Sequence, residues 1–287
     1  MPNPRLFSIL TLAVASLLPA PASAHPGSGI VVDRLGQVYF VDMVSGVWKL
    51  NPKGGLTHLP GQAIHWMALD AQGRFAGGRL PSGTGGDFTR IGSDPTLLLA
   101  SDFPIAIAPD GNLYFPSKGG TAIQVKKFSS SGQASILATL PATATGVAWI
   151  NGLAAGPDGS LYYTEDDAIG RVSRDGAVST VGGRIPAPGC RTAHPLLRGL
   201  AVDPAGTVYV ADTGCGRVLK VTASGVVTIL PQVERPWGPT GVALFGGDLY
   251  VLEFENPDTD DRRAMLPRIR KIRADGTTSV VATVTRH

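Results

Sequence analysis

Cysteine is scarce in this sequence, which contains two, Cys190 and Cys215, among 287 residues. They do not form a C-x-x-C pair and no cluster of histidines lies near them, so the pattern argues against a thiolate metal site. If the chain is exported, the oxidising compartment favours a disulfide between them. Two free buried thiols are the alternative.

Dense basic runs are also lacking outside residues 262–273. The formal net charge is +3, and it falls to +2 if Arg5 is lost with an N-terminal signal. Nucleic acid is therefore not an expected partner. Within 262–273, the alternation of charged and apolar residues favours a half-exposed strand, and an anion-binding patch is the alternative.

No apolar run is long enough to span a membrane. The longest, residues 6–18, is followed by Pro19 and Pro21, whereas a spanning helix needs about 20 apolar residues. A small-residue cleavage pattern follows at residues 22–24. Residues 1–24 therefore have the features of a secretory signal, and we expect a secreted or periplasmic protein with no membrane span after cleavage.

What the sequence does contain is a repeat of about 40 residues. Each copy has a small residue, a short apolar strand, an Asp-x-x-Gly type of turn and a second strand with an aromatic residue, as at residues 199–212. In the second copy this pattern predicts a second strand that ends at Gly78. Glycine suits the turn because it reaches positive φ without a Cβ clash. The turn glycines are Gly36, Gly73, Gly111, Gly159, Gly206 and Gly247.

Six copies predict an all-β fold, a six-bladed β-propeller of four-stranded antiparallel blades. Each small twisted sheet has two apolar faces, and radial packing of neighbouring sheets covers both. A linear β-solenoid is the alternative, although its repeats are usually shorter. We expect one propeller domain over residues 25–287, made of whole blades. The expected blades span residues 29–60, 65–101, 103–141, 150–186, 197–233 and 238–284.

Two family resemblances rest on particular copies. The fifth copy, residues 200–212, resembles an NHL repeat, and the six-copy arrangement resembles the SMP-30/gluconolactonase group of propellers. The fourth copy, residues 155–165 with 169–172, is similar to the repeats of streptogramin (virginiamycin B) lyases. NHL-like propellers include hydrolases, lyases and pure interaction modules, so the resemblance implies the fold more directly than an activity.

In such a propeller, the loops that lead into the innermost strands surround one end of the central channel, which we call the mouth. Alignment of the copies places one residue of each copy at this end. These six mouth residues are Ser28, His65, Phe103, Asn151, Arg198 and Thr240.

The SMP-30-like resemblance implies a divalent cation (Ca, Zn or Mn) held at the mouth by Glu, Asn and Asp. Asn151 matches the Asn and is the candidate metal ligand. Ser28 stands where the Glu is expected and Arg198 where the Asp is expected. The arginine adds a fixed positive charge that repels a cation. The sequence therefore predicts an incomplete ligand set.

His65 and Glu165 are the candidate catalytic residues. A neutral imidazole just before the second inner strand can act as a general base or metal ligand, and a histidine packed under Trp66 is the alternative. Four carboxylates end second strands, and the two aspartates among them suit hydrogen bonds to the following turn. The longer glutamates fit that role less well. The four are Asp42, Glu165, Asp212 and Glu253.

The remaining mouth residues are candidates for ligand binding. Arg198 is suited to a carboxylate or phosphate because a guanidinium binds such groups through two parallel hydrogen bonds. Asn151, Thr240 and Ser28 offer an amide and two hydroxyl groups. Ordering of the Asn-Gly turn is the alternative role of Asn151.

Three functions remain open from the sequence. The first is an exported lactonase-like hydrolase that acts on a small polar or anionic molecule held by Arg198. The second is a non-catalytic propeller that binds a small ligand or a protein on its mouth face, through arginine and aromatic side chains. The third is a metal-dependent lyase of the streptogramin-lyase type. In each case we expect a monomer.

Overall fold

The computed structural model describes residues 26–62, 64–83, 86–93, 96–141, 149–259 and 261–286, and the signal predicted over residues 1–24 lies outside them. The described residues form 25 β-strands joined by turns and loops. Within those ranges, no helix is long and apolar enough to cross a membrane.

The strands fall into six blades, numbered along the chain. Blade 1 contains β1 (Ile30–Val32), β2 (Val38–Asp42), β3 (Gly46–Leu50) and β4 (Leu56–Pro60). Blade 2 contains β5 (Trp66–Asp70), the hairpin of β6 (Ser82–Gly83) and β7 (Gly86–Asp87), β8 (Thr89–Ser93) and β9 (Thr96–Ser101). Blade 3 contains β10 (Ala106–Ile107), β11 (Leu113–Gly119), β12 (Ala122–Phe128) and β13 (Ala134–Thr139).

The second half of the ring repeats this arrangement. Blade 4 contains β14 (Gly152–Ala155), β15 (Leu161–Glu165), β16 (Ala168–Val172) and β17 (Val178–Thr180). Blade 5 contains β18 (Leu197–Val202), β19 (Val208–Asp212), β20 (Arg217–Val221) and β21 (Val227–Ile229). Blade 6 contains β22 (Trp237–Phe245), β23 (Asp248–Glu255), β24 (Pro267–Ile272) and β25 (Thr278–Thr283).

The innermost strands close a ring. They contact one another in the cyclic order β1, β5, β10, β14, β18, β22 and back to β1. Every strand pair within a sheet is antiparallel, and the six turn glycines all have positive φ, between 62° and 86°. The six-bladed β-propeller predicted from the repeat is confirmed.

The apolar core lies between neighbouring blades. Phe40 of blade 1 and Phe254 of blade 6 are both fully buried in one cluster. Between blades 2 and 3, the Phe88 ring packs edge-on against Phe103 and Phe115, with centroids 5.1 and 5.2 Å away. Second strands such as β2 are buried along their whole length, because each has a neighbouring blade on both faces.

Blade 2 departs from the simple meander of the other blades. Its sheet has the order β5-β9-β8, so the last strand of the blade pairs with the inner strand. The second strand predicted to end at Gly78 is wrong, because residues 71–81 contain no strand. β9 is apolar and almost wholly buried, so it suits a position covered on both faces better than residues 74–78, which carry Arg74 and two glycines.

Side chains and backbone contacts join blade 6 to blade 1. The described strands of blade 1 are β1 to β4 and those of blade 6 are β22 to β25, each consecutive in sequence. Thr240 Oγ1 donates to Gly27 O at 2.7 Å. Near the C-terminus, Arg286 forms an ion pair with the fully buried Asp42 of blade 1 and donates to the Arg263 carbonyl of blade 6 at 2.7 Å.

We expect Arg286→Ala to lower the free energy of unfolding by about 3 kcal/mol, because it leaves the buried Asp42 carboxylate without its ion-pair partner. Denaturant unfolding of the purified protein measures this. Arg263→Ala, at an exposed arginine in the same region, is the matched control and should change stability by less than about 0.5 kcal/mol. Equal effects of the two substitutions contradict a closing role for Arg286.

Candidate functional site

The inner strands approach one another so closely at the mouth that several positions have no room for a side chain. A Cβ placed on Gly241 would lie 2.3 Å from Ser28 O, and one on Gly152 would lie 2.3 Å from Arg198 O. A Cβ on Gly199 would lie 2.8 Å from the Gly241 Cα. Glycine is required at these positions because neighbouring backbones occupy the space.

This packing joins mouth residues of successive blades. Ser28 N of blade 1 donates to His65 O of blade 2 at 2.8 Å. Thr164 Oγ1 of blade 4 donates to Arg198 O of blade 5, also at 2.8 Å. With the glycine contacts, the mouth residues of blades 2, 1, 6, 5 and 4 form a continuous arc of backbone contacts. Phe103 of blade 3 is instead buried in the aromatic cluster.

Strand pairing places a second set of side chains beside the mouth residues. Gly152 pairs with Thr164, and Asn151 N also donates to Thr164 O at 2.8 Å, so Asn151 lies at the end of β15, where Glu165 follows Thr164. In blades 5 and 6, strand pairing puts Leu197 opposite Asp212 and Pro239 opposite Glu253, directly before the mouth residues Arg198 and Thr240. Carboxylates at the ends of second strands therefore lie next to the channel mouth.

Arginines neutralise three of these carboxylates. Asp42 pairs with Arg286. Asp212 pairs with Arg217 at 2.9 Å, and the side chains are 0% and 2% exposed. Glu253 accepts from two arginines of β24, from Arg268 Nε at 2.6 Å and from Arg270 Nε at 2.5 Å. These three carboxylates have a structural role, including Glu253, whose length alone had suggested a place in the site.

Glu165 differs from them. It is half-buried, and no side chain or backbone group in the described part of the chain donates a hydrogen bond to its carboxylate or forms an ion pair with it. Burial raises the pKa of the Glu165 carboxyl, and the negative charge of Asp166 raises it further. A carboxyl group with a raised pKa at the rim of a channel is suited to accept or donate a proton.

Arg198 is the corresponding exception among the arginines. Its Nε is buried, and no residue within the described ranges accepts a hydrogen bond from its guanidinium. Burial lowers the pKa of Arg198 to about 10, and the charge of Asp258 opposes this in part. The group therefore stays positively charged at neutral pH. The pairing of β18 with β19 is irregular between Leu197 and Leu200, and such bulges redirect a side chain.

A second arginine, Arg191, lies in the loop that precedes β18. Arg191 donates to the carbonyls of Trp237 and Val233, both at 2.6 Å. Burial lowers the pKa of Arg191, and the charge of Arg235 lowers it further. The negative charge of Asp258 opposes the lowering of the pKa at both Arg191 and Arg198.

A disulfide holds the loop that carries Arg191. It joins Cys190 to Cys215. The buried Asp212 carboxylate accepts from Cys215 N and Leu196 N, both at 3.1 Å, which ties the two sides of this loop to blade 5. The loop therefore has a fixed position next to β18 and Arg198.

His65 contacts a carboxylate that the sequence analysis did not single out. Its Nδ1 lies 2.9 Å from Oδ1 of Asp102, with the imidazole 12% and the aspartate side chain 58% exposed. Asp102 follows β9, which pairs with β5, so the two residues are cross-strand neighbours. The repeat did not predict this pair. In the other blades, the strand that pairs with the inner strand follows it directly in the sequence, whereas in blade 2 that strand is β9.

The other candidate residues have different surroundings. Thr240 is fully buried, and its hydroxyl donates to Gly27 O, so in this structure it stabilises the junction of blades 1 and 6. Ser28 is buried, and its Oγ has no hydrogen-bond partner in the parts of the chain that are described. Asn151 is half-buried beside Glu165.

The side chains at the mouth do not fit the divalent cation that the SMP-30-like resemblance implies. Arg198 brings an unneutralised positive charge, and the nearby carboxylates of Asp42 and Glu253 are taken up by arginines. Across the described ranges, one group of three potential ligands is close enough to hold an ion: Cys190, Cys215 and Asp212. These are the disulfide and the carboxylate that caps its loop, so they do not supply such a site.

Comparison with known proteins gives a family and a fold. A family model described as the SMP-30/Gluconolactonase/LRE-like region matches residues 26–252. None of the curated proteins matches the sequence.

Three solved structures illustrate the likeness of fold. A virginiamycin B lyase from Staphylococcus aureus is 16% identical, with 93% of this chain and 87% of that chain covered and a TM-score of 0.53. A luciferin-regenerating enzyme is 16% identical, with coverages of 87% and 92% and a TM-score of 0.55. Regucalcin from Agrobacterium tumefaciens, described as a calcium-binding protein, is 16% identical, with coverages of 80% and 83% and a TM-score of 0.50.

The raised pKa of Glu165 gives a pH-dependent prediction. A folded-state pKa above the unfolded value means that stability falls as pH rises through the window between the two, because the folded state then binds more protons than the unfolded state. Glu165→Gln removes this loss. We expect its melting temperature to exceed that of the wild type by roughly 2 °C at pH 7, and to match it near pH 4.

Thermal unfolding at a series of pH values measures this difference. Glu234→Gln, at an exposed glutamate, is the control and should follow the wild type at every pH. A Glu165→Gln protein that is less stable than the wild type at pH 7 contradicts the absence of a partner for this carboxylate.

Proposed function

We propose that this chain, which belongs to the SMP-30/gluconolactonase/LRE-like family, is an exported hydrolase. It acts on a small anionic molecule at the channel mouth. The substrate class is an ester or lactone that carries a carboxylate or phosphate group. Arg198 binds this group. Glu165 and Asn151 of the neighbouring blade 4, together with His65 of blade 2, act on the ester.

The observation that carries the proposal is the unpaired guanidinium of Arg198. Arg217 and Arg270, which are buried, each pair with a carboxylate, whereas the half-buried Arg198 has a buried Nε and no such partner among the described residues. Removing a charge from water without a partner is destabilising. An anionic ligand supplies the missing partner through charge-assisted hydrogen bonds.

The chemistry follows from the remaining groups. In ester hydrolysis, a base takes a proton from water, the water oxygen bonds to the carbonyl carbon, and the leaving oxygen is protonated. Glu165 is suited to this exchange because burial raises its pKa towards neutrality. The amide of Asn151, whose backbone N donates to Thr164 O next to Glu165, can donate a hydrogen bond to the carbonyl oxygen. No step uses a cation, since the side chains present do not fit one.

Export is part of the proposal. The predicted signal over residues 1–24 and the Cys190–Cys215 disulfide both favour a secreted or periplasmic location. The partner is a small molecule, and the protein acts as a monomer without nucleic acid.

A specific observation favours one alternative, a propeller that binds without catalysis. Trp149 is 38% exposed beside the mouth, and Lys118 Nζ lies 5.9 Å from the centre of its ring. An exposed aromatic ring next to a cation is a suitable surface for a ligand or a protein partner. Turnover of an ester substrate separates the two functions.

We expect Arg198→Met to raise the free energy of unfolding by about 1 to 3 kcal/mol, because it removes an unpaired buried charge. The same substitution should abolish stabilisation by anions. Thermal unfolding in a panel of small carboxylates and inorganic phosphate measures both effects, since a bound ligand at a hundred times its Kd stabilises by about 2.7 kcal/mol.

Two arginine controls accompany this test. Arg217→Met should be strongly destabilising, because it leaves the buried Asp212 unpaired. Arg174→Met, at an exposed arginine beside the turn of Gly159 at the far end of the channel, should leave stability and anion binding unchanged. A loss of stability in Arg198→Met, or equal anion effects in this variant and the wild type, contradicts the proposal.

A screen of anionic lactones and esters tests the catalytic part. We expect turnover by the wild type in the presence of EDTA, and a decrease of at least about a hundredfold in kcat for Glu165→Gln. Glu234→Gln is the matched control. Loss of turnover in EDTA, restored by Ca²⁺, Zn²⁺ or Mn²⁺, contradicts the cation-independent mechanism.

A further inference from the structure

Asp102 and His65 form a pair that only the unusual strand order of blade 2 makes possible. β9 occupies the position next to the inner strand, so its end brings Asp102 to the mouth opposite His65. Had the chain continued as a meander, residues near 78 would have occupied this place. The rearrangement therefore has a chemical consequence at the mouth as well as a packing consequence in the blade.

The backbone around His65 is held on two sides. His65 N donates to Ser101 O at 3.3 Å, and its carbonyl accepts from Ser28 N and Gly29 N, both at 2.8 Å. The imidazole is 12% exposed, whereas the Asp102 side chain is 58% exposed. The histidine is therefore the fixed member of the pair, and the aspartate approaches it from the solvent side.

The contact between them determines which ring nitrogen carries the proton. A carboxylate can only accept hydrogen bonds, so His65 Nδ1, at 2.9 Å from Asp102 Oδ1, must be the donor. In the neutral ring, Nε2 is then the unprotonated nitrogen, with a lone pair for accepting a proton.

We propose that Asp102 is a positioning residue, which holds His65 in the tautomer with a basic Nε2 and thereby makes it a proton acceptor at the mouth. The proposal rests on the proposed function in one respect, because it assigns His65 a role in the same reaction. Asp102 itself does not contact the reacting atoms. Its effect is transmitted through the imidazole.

The protein contains an internal reference with the opposite arrangement. His58 Nε2 lies 2.6 Å from Ser45 O, and a carbonyl oxygen only accepts, so this ring must carry its proton on Nε2. Long-range ¹H–¹⁵N correlation spectra of the ¹⁵N-labelled full chain, recorded near pH 8, distinguish the two tautomers. His65→Gln and His58→Gln assign the signals.

We expect the wild type to show the Nδ1–H form at His65 and the Nε2–H form at His58. Asp102→Ala should convert His65 largely to the other tautomer and leave His58 unchanged. Because Asp102 is exposed, this variant should fold normally. Asp175→Ala, at another exposed aspartate, is the control and should leave both signals unchanged. An Nε2–H form at His65 in the wild type, or an unaltered His65 in Asp102→Ala, overturns the proposal.

A kinetic measurement tests the consequence for the reaction. With any ester that the wild type hydrolyses, Asp102→Ala should lower kcat on the order of ten- to a hundredfold and change KM by less than about twofold. A kcat equal to that of Asp175→Ala overturns the positioning role. The tautomer does not depend on anion binding at Arg198, so a failure of the proposed function and a failure of the Asp102 assignment can be distinguished.

Discussion

The close approach of the inner strands is the constraint on which the site depends. At Gly152, Gly199 and Gly241 the backbone of a neighbouring blade occupies the space of a side chain. Residues far apart in the sequence are therefore forced next to one another just above this level, where the channel opens. Any side chain placed there is held by backbone contacts on both sides and does not depend on a flexible loop for its position.

Above this level, the distribution of charge distinguishes structural from functional groups. Carboxylates at the ends of second strands recur around the ring, and in blades 1, 5 and 6 an arginine neutralises each of them. Among the described residues, no arginine pairs with Glu165 of blade 4. Blade 5 contains a further arginine, Arg198, that pairs with no carboxylate. Glu165 and Arg198 therefore remain as an acidic and a basic group on neighbouring blades, and the proposed ligand places its anionic group at Arg198.

The repeat made most of the fold predictable, because turn glycines and apolar strands recur at nearly constant spacing. The last blade was predicted over residues 238–284, and its observed strands run from Trp237 to Thr283. One strand of blade 2 was predicted wrongly. Whether residues 74–78 or β9 pair with the inner strand depends on burial against the two neighbouring blades. No local pattern expresses that burial.

The candidate site was predictable in position and less so in partners. Counting from the inner strands located His65, Asn151 and Arg198, because the repeat fixes where each inner strand begins. The pairing of Arg286 with Asp42 and of Asp102 with His65 joins residues separated by long stretches of chain. Sequence reasoning found that Glu165 and Glu253 both fit a turn-capping role poorly, and it did not reveal that the arginines of β24 pair with Glu253.

The way the ring closes also bears on how such a protein can change over evolutionary time. The described strands of blades 1 and 6 are each continuous in sequence, and Arg286, Thr240 and apolar packing join the two blades. Duplication or deletion of one internal copy would therefore leave both chain ends with intact sheets. The same terminal contacts would then close a ring with one blade more or fewer, and every strand would keep its pairing within its own blade.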